Sequence, residues 1–206
     1  MGNKEANRKL VRGDVLGVVL AGGLSRRMGG SDKALLHYEG QPLVLRAIDR
    51  LLPQVGRVVV SANSPLAEVS TRNIPIIADC LPDYPGPLVG LFSAIEWAAE
   101  HMPDVTWVCT SSVDTPFVPL DLVEQLANAL PVSGRAAIAR SGEHRHPTIG
   151  LFHVGLRDVL RTFLESGGRK VGLWTHQIGA HVVSFEGSGE DPFFNVNTPE
   201  DLQQLP

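Results

Sequence analysis

Glycines and cations that could bind phosphate are concentrated in one stretch near the start of the chain. Ala21-Gly22-Gly23 follows an apolar run, and the cations Arg26, Arg27 and Lys33 come shortly after it. Small residues let a ligand approach the main chain closely, and successive N–H groups can then bind anionic oxygens. Three cations on the same segment can neutralise a row of phosphates. The segment therefore predicts a polyphosphate site.

This stretch does not fit the two common phosphate-binding signatures. A P-loop needs the pattern G-x-x-x-x-G-K-[ST], whereas Lys33 here lies between Asp32 and Ala34. The dinucleotide fingerprint G-x-G-x-x-G is also absent from the sequence. The glycines alone would equally suit an exposed loop, and it is the ordered cations that favour a phosphate site.

Two aspartates could complete such a site. Asp114 directly follows an apolar run, and a carboxylate in that position can hold Mg²⁺ together with substrate phosphates. The alternative is that Asp114 only caps the turn Asp114-Thr115-Pro116. Asp79 could accept hydrogen bonds from a guanine edge or a ribose, or it could be a solvated loop carboxylate.

Polar residues near the C-terminus suggest a second part of the site. Asn195 and Asn197 flank one extended position, so their side chains share a face. The alternative is an Asx turn before the last helix. His146 lies within Arg145-His146-Pro147-Thr148. The sequence has no H-x-x-x-H pair, so a zinc site is not indicated, and a lone histidine is usually structural.

Alternating strand and helix patterns would position these residues. Strands are predicted at 15–20, 57–62, 74–78, 105–110, 135–140, 148–154 and 181–185. Helices are predicted from Gln41-Pro42 to Pro53, at 88–100, 119–130, 156–165 and 169–176, and from Thr198 onward. The segment 141–147 is predicted to separate two strands.

The first strands are apolar throughout, which is typical of strands buried on both faces. The pattern therefore predicts an α/β fold, with a Rossmann-like, mostly parallel sheet and helices on both faces. Ligands in such sheets bind beyond the carboxyl ends of the strands. The glycine-rich loop, Asn63, Asp79 and Asp114 each follow a predicted strand, so we expect them to meet at one edge.

Composition limits the class of protein. The 206 residues suit a polar N-terminal tail at 1–13 and one domain at 14–206. A net charge of −4 argues against a general nucleic-acid surface. The absence of an apolar run of about 18 residues argues against a membrane span. Cys80 and Cys109 are far apart and fit a reducing, cytoplasmic setting.

Several motifs carry a resemblance to a known family. Leu20-Ala21-Gly22-Gly23, Arg27-Met28-Gly29 and Asp32-Lys33 resemble the nucleotidyltransferase signature L-A-G-G-x-x-x-R-M-G followed by D-K. The doubled glycine after Met28 is similar to that of the molybdenum cofactor guanylyltransferase family. The segments D-Y-P-G-P-L, D-T-P, H-P-T and N-V-N-T-P-E-D resemble further motifs of that family. The resemblance extends from Val15 to the C-terminus.

The resemblance implies a fold of the nucleotide-diphospho-sugar transferase type, with GTP bound by the N-terminal half and the acceptor by the C-terminal half. It implies transfer of GMP from GTP to molybdenum-bearing molybdopterin, with pyrophosphate released. Proteins that deliver molybdopterin or receive the product are implied as partners. The implied nucleotide-binding residues are Leu20, Ala21, Gly22, Gly23, Lys33, Asn63, Asp79 and Asp114. Arg27, Lys33 and Asp114 take catalytic roles, Asp114 and Asn197 hold Mg²⁺, and His146, Asn195 and Asn197 bind the acceptor.

Alternatives remain open at this point. A sister enzyme that uses CTP, or a sugar-1-phosphate nucleotidyltransferase, would share the same loop chemistry. A nucleotide-binding module without catalysis is a third alternative, against which the cations and Asp114 argue. The family's nucleotide-contacting asparagine can fall at the position of Ser61, whereas Asn63 is the amide present here. Spacing does not determine the base or the oligomeric state.

Overall fold

The computed structural model describes residues 10–22, 33–81, 86–186, 191–198 and 200–204. In chain order, the strands are β1 (Val15–Leu20), β2 (His37–Tyr38), β3 (Gln41–Pro42), β4 (Arg57–Ser61), β5 (Ile76–Ile77), β6 (Trp107–Ser112), β7 (Ala136–Ser141), β8 (His144–His153) and β9 (His181–Ser184). The helices are α1 (Leu43–Leu51), α2 (Ala67–Ser70), α3 (Pro87–His101), α4 (Leu122–Asn128), α5 (Arg157–Glu165) and α6 (Val171–Gln177).

Seven strands form one sheet in the order β5-β4-β1-β6-β8-β7-β9. The pairs β5–β4, β4–β1, β1–β6 and β7–β9 are parallel, whereas β8 is antiparallel to both β6 and β7. The predicted mostly parallel sheet is therefore confirmed. Parallel strands need long crossover connections, and here helices supply them.

Helices cover both faces of the sheet, as the sequence predicts. Alternate residues of β1 point to opposite faces, so Val15 and Val19 join one apolar cluster and Leu16 and Val18 join the other. Helices α1, α2 and α4 pack on the first face, and α3, α5 and α6 pack on the second. The central strand is thus buried along its whole length, which places any ligand at its ends.

The first helix differs from the prediction at both ends. Gln41 and Pro42 form β3, which pairs with β2, so the helix begins at Leu43 rather than at Gln41. Pro53 does not stop the chain from coiling, because Leu52–Gln54 continues as a 3-10 turn. Leu52, in this turn, is 43% exposed, whereas the apolar residues of α1 that face the core are buried: Leu43, Val44, Ala47, Ile48 and Leu51. The turn rotates Leu52 away from the core.

The second half also differs from the prediction. Residues 144–147 were predicted to lie between strands, but they belong to β8, which forms a tight hairpin with β7. Gly142 makes this turn possible, since it adopts a φ of +51° that favours glycine. The pairing shifts register between Ile138 and Ala139, and Pro147 lies in this irregular stretch, where its missing N–H breaks no regular ladder.

The predicted final helix is reduced to a 3-10 turn at Asp201–Gln204. The hydroxyl of Thr198 accepts a hydrogen bond from the Asp201 N–H at 3.2 Å, as the side chain of an N-cap residue does. At the other end of the chain, Arg12 donates hydrogen bonds to the carbonyls of Leu52 and Val55. Within the described ranges, no helix is both long and apolar enough to cross a membrane.

Candidate active site

The carboxyl ends of β1, β4, β5 and β6 lie together and form an edge that is called the rim below. Three main-chain hydrogen bonds join them: Ala21 N–H to Ser61 O at 2.9 Å, Ala62 N–H to Ile77 O at 3.0 Å, and Val113 N–H to Leu20 O at 3.1 Å. The parallel register pairs Leu20 with both Ser61 and Ser112. The structure therefore brings the segments that carry Gly22, Asn63, Asp79 and Asp114 to one rim, as predicted.

The glycine-rich loop leaves β1 at the centre of this rim. The N–H of Ala21 is already bonded to Ser61, so main-chain donors for an anion begin at Gly22. Gly22 is exposed, and a Cβ added to it would meet only the Ser61 carbonyl at 3.8 Å. Gly23 and Arg27 lie outside the described residues.

Of Lys33, the structure describes the main chain, which begins a 3-10 turn at Lys33–Leu35. The next residue, Ala34, is fully buried in the apolar cluster that includes the α1 side chains. The N–H of Leu43 then donates to the Leu36 carbonyl at 2.8 Å. The return of the loop is therefore fixed against the start of α1.

Asp114 follows β6 and is half-buried. Its turn is closed by Thr115, whose N–H and hydroxyl both bond the Ser112 carbonyl at 3.1 Å. Among the residues that the structure describes, none forms a hydrogen bond or ion pair with the Asp114 carboxylate. The alternative that Asp114 serves only to cap its turn is thus not supported, and the carboxylate remains available to a ligand.

The segment 191–198, called the closing segment below, docks on the same turn. The Val196 N–H donates to the Asp114 carbonyl at 2.8 Å, and the Val196 side chain is fully buried. Asn195 and Asn197, on either side of it, are exposed. The carboxylate of Asp201 accepts the main-chain N–H groups of Asn197 at 2.7 Å and Thr198 at 2.8 Å. Both asparagines therefore flank the residue whose main chain bonds the Asp114 turn.

Asn63 and Asp79 are paired with each other. The Asn63 amide donates to Oδ2 of Asp79 at 2.8 Å, and Oδ1 of Asn63 accepts the main-chain N–H of Asp79 at 2.8 Å. The next residue, Cys80, is held by Ser93 of α3, whose hydroxyl accepts the Cys80 N–H at 2.9 Å. The segment after β5 is thus hydrogen-bonded to the turn after β4 and to α3.

Ser61 and Asn63 have different environments. Ser61 is buried at the contact between β4 and α3, where a Cβ added to Gly90 would lie 2.7 Å from its hydroxyl. Gly90 therefore serves close packing of the helix on the sheet. Asn63 is exposed, so it is the amide that faces the rim.

His146 lies on β8, opposite Ala139 of β7. Its Nε2 is 2.7 Å from the Ser141 hydroxyl, and its ring centroid is 4.9 Å from that of Phe193 in the closing segment. Burial lowers the pKa of His146 below 6.5, the Asp191 carboxylate opposes this effect, and His144 adds to it. His146 is thus connected to Asp114 through the closing segment.

Two residues that hold the Asp114 side of the rim, one in α1 and one in the 3-10 turn after it, were not found from the sequence. Arg50 donates from Nε to the Val118 carbonyl at 2.7 Å. Gln54 donates to the Pro119 carbonyl at 2.9 Å and accepts the Val123 N–H at 2.9 Å. The available signal was a pair of long polar residues four positions apart at the end of an apolar helix.

The oxygen atoms at the rim are suited to a hard cation that completes its coordination with other ligands. Within the described ranges, no group of three or more His, Cys, Asp or Glu side chains is placed to hold a metal ion. A half-buried carboxylate beside exposed amide carbonyls is the kind of incomplete oxygen set that Mg²⁺ completes with waters and phosphates.

Comparison with known proteins identifies a family of nucleotidyltransferases. The MobA-like NTP transferase domain matches residues 17–178. A molybdenum cofactor guanylyltransferase of Nitrobacter hamburgensis is 42% identical over 190 residues, which are 91% of each chain. One of Rhodopseudomonas palustris is 41% identical over 91% of this chain and 90% of its own.

A solved structure shares the fold. The molybdopterin-guanine dinucleotide biosynthesis protein A of Archaeoglobus fulgidus superposes with a TM-score of 0.69 at 23% identity, covering 92% of this chain and 95% of its own. The fold is thus of the nucleotide-diphospho-sugar transferase type. From the sequence matches and the rim together, the chain belongs to the molybdenum cofactor guanylyltransferase family, within the MobA-like NTP transferases, and is a nucleotidyltransferase.

Proposed function

We propose that the enzyme transfers GMP from GTP to the terminal phosphate of molybdenum-bearing molybdopterin. The observation that carries this proposal is the meeting, at one rim, of the start of the glycine-rich loop at Ala21 and Gly22 with the Asp114 turn, joined by the hydrogen bond from Val113 to Leu20. Support for the base and the acceptor comes from relatives about 40% identical over nine-tenths of the chain that are named guanylyltransferases. The products are molybdopterin guanine dinucleotide cofactor and pyrophosphate.

The reaction needs no protein nucleophile. An oxygen of the acceptor phosphate attacks the α-phosphorus of GTP, a new P–O bond forms, and the bond to the bridging oxygen of the β-phosphate breaks. The tasks of the protein are then to position the reactants and to stabilise charge. Main-chain N–H groups from Gly22 onward bind the triphosphate, while Arg27 and Lys33 offset charge on the α-phosphoryl group and on the departing pyrophosphate.

Asp114 and Asn197 are the residues that we propose for Mg²⁺. Asp114 offers a carboxylate with no partner in the described part of the chain. The hydrogen bond from the Val196 N–H to the Asp114 carbonyl holds the next residue, Asn197, near the Asp114 turn. Mg²⁺ held by these residues would stabilise the negative charge that develops on the phosphates. The chain itself contributes the fixed turn at Thr115, which keeps the carboxylate in place during the reaction.

The acceptor is proposed to lie against the other end of the closing segment. The ring centroids of His146 and Phe193 are 4.9 Å apart, and the exposed Asn195 lies in sequence between Phe193 and Val196, whose N–H bonds the Asp114 carbonyl. Since the lowered pKa keeps His146 neutral at physiological pH, it acts as a hydrogen-bonding group rather than as a cation. His146, Asn195 and Asn197 then line one path toward the metal candidate.

A pyrophosphate-release assay tests the proposed reaction. The purified enzyme is mixed with molybdenum-loaded molybdopterin and each of the four nucleoside triphosphates, with or without Mg²⁺. We expect release with GTP and Mg²⁺ only, and a nucleotide product of the acceptor in equal amount. Release with CTP in preference to GTP would contradict the assignment, and GTP binding without any release would contradict catalysis.

We also propose two features of the cellular setting. A protein that delivers molybdopterin or receives the product is proposed from the family membership. A reducing, cytoplasmic location is proposed because Cys80 and Cys109 are both free thiols. Co-purification of the tagged enzyme from its own cells, followed by mass spectrometry, tests the first proposal, and fractionation tests the second.

A further inference from the structure

The reciprocal hydrogen bonds between Asn63 and Asp79 suggest a role for Asn63 beyond contact with a ligand. Asn63 uses its side-chain carbonyl on the main chain of Asp79 and one amide N–H on the Asp79 carboxylate, both at 2.8 Å. These two bonds fix both the path of the chain at Asp79 and the rotation of its side chain. The pair joins the turn after β4 to the turn after β5.

The strand that leads to Asp79 gives this segment little main-chain pairing. β5 is only two residues long and lies at the edge of the sheet, with β4 as its one neighbour. Beyond it, the main chain of Cys80 is held by Ser93 of α3. A carboxylate on such a short edge strand would sample many orientations unless a side chain held it, because main-chain pairing ends at Ile77.

The pairing also distinguishes the two oxygens of Asp79. Oδ2 accepts from Asn63, so Oδ1 is the oxygen that can accept from a donor group outside the pair without sharing with Asn63. An ionised carboxylate is an acceptor only, so that donor must be an N–H or an O–H. Both occur on a guanosine, in the base edge and in the ribose hydroxyls.

We propose that Asn63 is a positioning residue that acts through Asp79, and that it sets Oδ1 of Asp79 toward N–H or O–H donors of the nucleoside. This inference rests on the proposed function, since it takes a nucleoside triphosphate as the ligand at the rim. It assigns to Asn63 an indirect effect on binding rather than a contact that would persist without Asp79.

A double-mutant cycle tests the proposal. The variants are Asn63→Ala, Asp79→Ala and the combination, and the readouts are the GTP dissociation constant without acceptor and the steady-state KM and kcat. We expect Asn63→Ala to weaken GTP binding about five- to thirtyfold, within the range for a hydrogen bond to a charged group. We expect kcat at saturation to change less than about twofold, because the reacting phosphates are held elsewhere.

Coupling between the two residues is the decisive result. In the Asp79→Ala background, Asn63→Ala should have no further effect on GTP binding, since it acts only through that carboxylate. Ser64→Ala, at an exposed position of the same turn, is the matched control and should bind GTP as the parent does. Additive effects of the two substitutions, or unchanged binding in Asn63→Ala, would overturn the proposal.

A second variant guards against a loss of fold. Asn63→Asp keeps an acceptor for the Asp79 N–H but sets two carboxylates against each other, and it should weaken GTP binding at least as much as Asn63→Ala. Because the pair is exposed, all variants should unfold within a few degrees of the parent. A GTP affinity equal to that of the parent in Asn63→Asp would count against the proposal.

Nucleotide analogues distinguish the source of the donor. With inosine triphosphate, which lacks the 2-amino group, and 2′-deoxy-GTP, the affinity loss in Asn63→Ala should shrink for whichever analogue lacks the donor. Coupled binding in an enzyme that releases no pyrophosphate would leave this inference standing while the proposed function fails. No GTP binding by the parent enzyme would overturn both.

Discussion

The carbonyl of Asp114 accepts a 2.8 Å hydrogen bond from the N–H of Val196, so the turn after β6 and the closing segment meet at a main-chain contact. Val196 is fully buried, and its side chain anchors the closing segment in the core. The residues on either side of it are thereby presented at the surface next to the Asp114 turn. This contact would let the residues proposed for the nucleotide and those proposed for the acceptor act together.

Asp114→Asn is expected to lower turnover by about 10²–10³, because the amide keeps the shape but loses the charge that a metal requires. The fold should survive, since no described residue depends on the carboxylate for a hydrogen bond. Turnover at saturating GTP and Mg²⁺ and the thermal unfolding midpoint check both statements. Asp104→Asn, at an exposed position before β6, is the control. Equal turnover in the two variants would rule out the metal assignment.

Gln54→Leu is expected to destabilise the fold by about 2–4 kcal/mol, since it leaves the Pro119 carbonyl and the Val123 N–H without their partner in a buried place. Denaturant unfolding measures the loss. Gln125→Leu, whose amide bonds the exposed Asp121, should cost less than about 1 kcal/mol. If Gln54→Leu loses no more stability than Gln125→Leu, then Gln54 does not stabilise the segment that contains Pro119 and Val123.

Gly90→Ala should destabilise the fold by about 1–2 kcal/mol, even though alanine favours helices more than glycine. The added Cβ would lie 2.7 Å from the Ser61 hydroxyl and 2.8 Å from Leu20. Adding Ser61→Ala should restore part of the loss. Gly172→Ala, where nothing lies within 4 Å, should leave stability unchanged or raise it by up to about 1 kcal/mol. Urea titrations of the four proteins make the comparison, and a stabilised Gly90→Ala variant would refute the close contact.

The loss of stability on mild acidification should depend on His146 and His153. Burial lowers both pKa values below 6.5, so the unfolded chain binds protons that the folded chain does not. Stability is therefore complete above pH 6.5 and decreases as pH falls through the folded pKa values. Glu96, whose pKa is lowered by hydrogen bonds from Arg157, acts in a separate window below 4.5.

Thermal unfolding between pH 7.5 and 5.5 measures this dependence. His146→Gln should lose less stability over this range than the parent, and His153→Gln should behave in the same way. His181→Gln, at an exposed position of β9, controls for the removal of a histidine as such. A pH dependence as steep in His146→Gln as in the parent would contradict the burial argument.

Much of the fold follows from local chemistry in the sequence. β1, β4 and β6 are apolar runs of the length of a buried strand, and the helices between them carry regular apolar faces. What local patterns do not contain is pairing between distant segments. The hairpin that carries His146 depends on Gly142 and on an irregular register around Pro147, and neither is visible as periodicity.

The site shows the same division. The positions of Gly22, Asn63, Asp79 and Asp114 at the rim follow from a parallel sheet, because each comes directly after a strand. The hydrogen bonds between Asn63 and Asp79 could not be predicted in this way, since they depend on how the ends of two neighbouring strands are aligned. The roles of Arg50 and Gln54 were equally hidden, because a polar residue at the end of an amphipathic helix usually faces water.

A crystal structure of the enzyme with GTP and Mn²⁺, in which the metal is located by its anomalous scattering, tests the central claim most directly. We predict one metal peak within coordination distance of both the Asp114 carboxylate and a triphosphate oxygen, with the triphosphate against the main chain from Gly22 to Lys33. A metal peak away from Asp114, or a triphosphate bound outside that loop, would contradict the account.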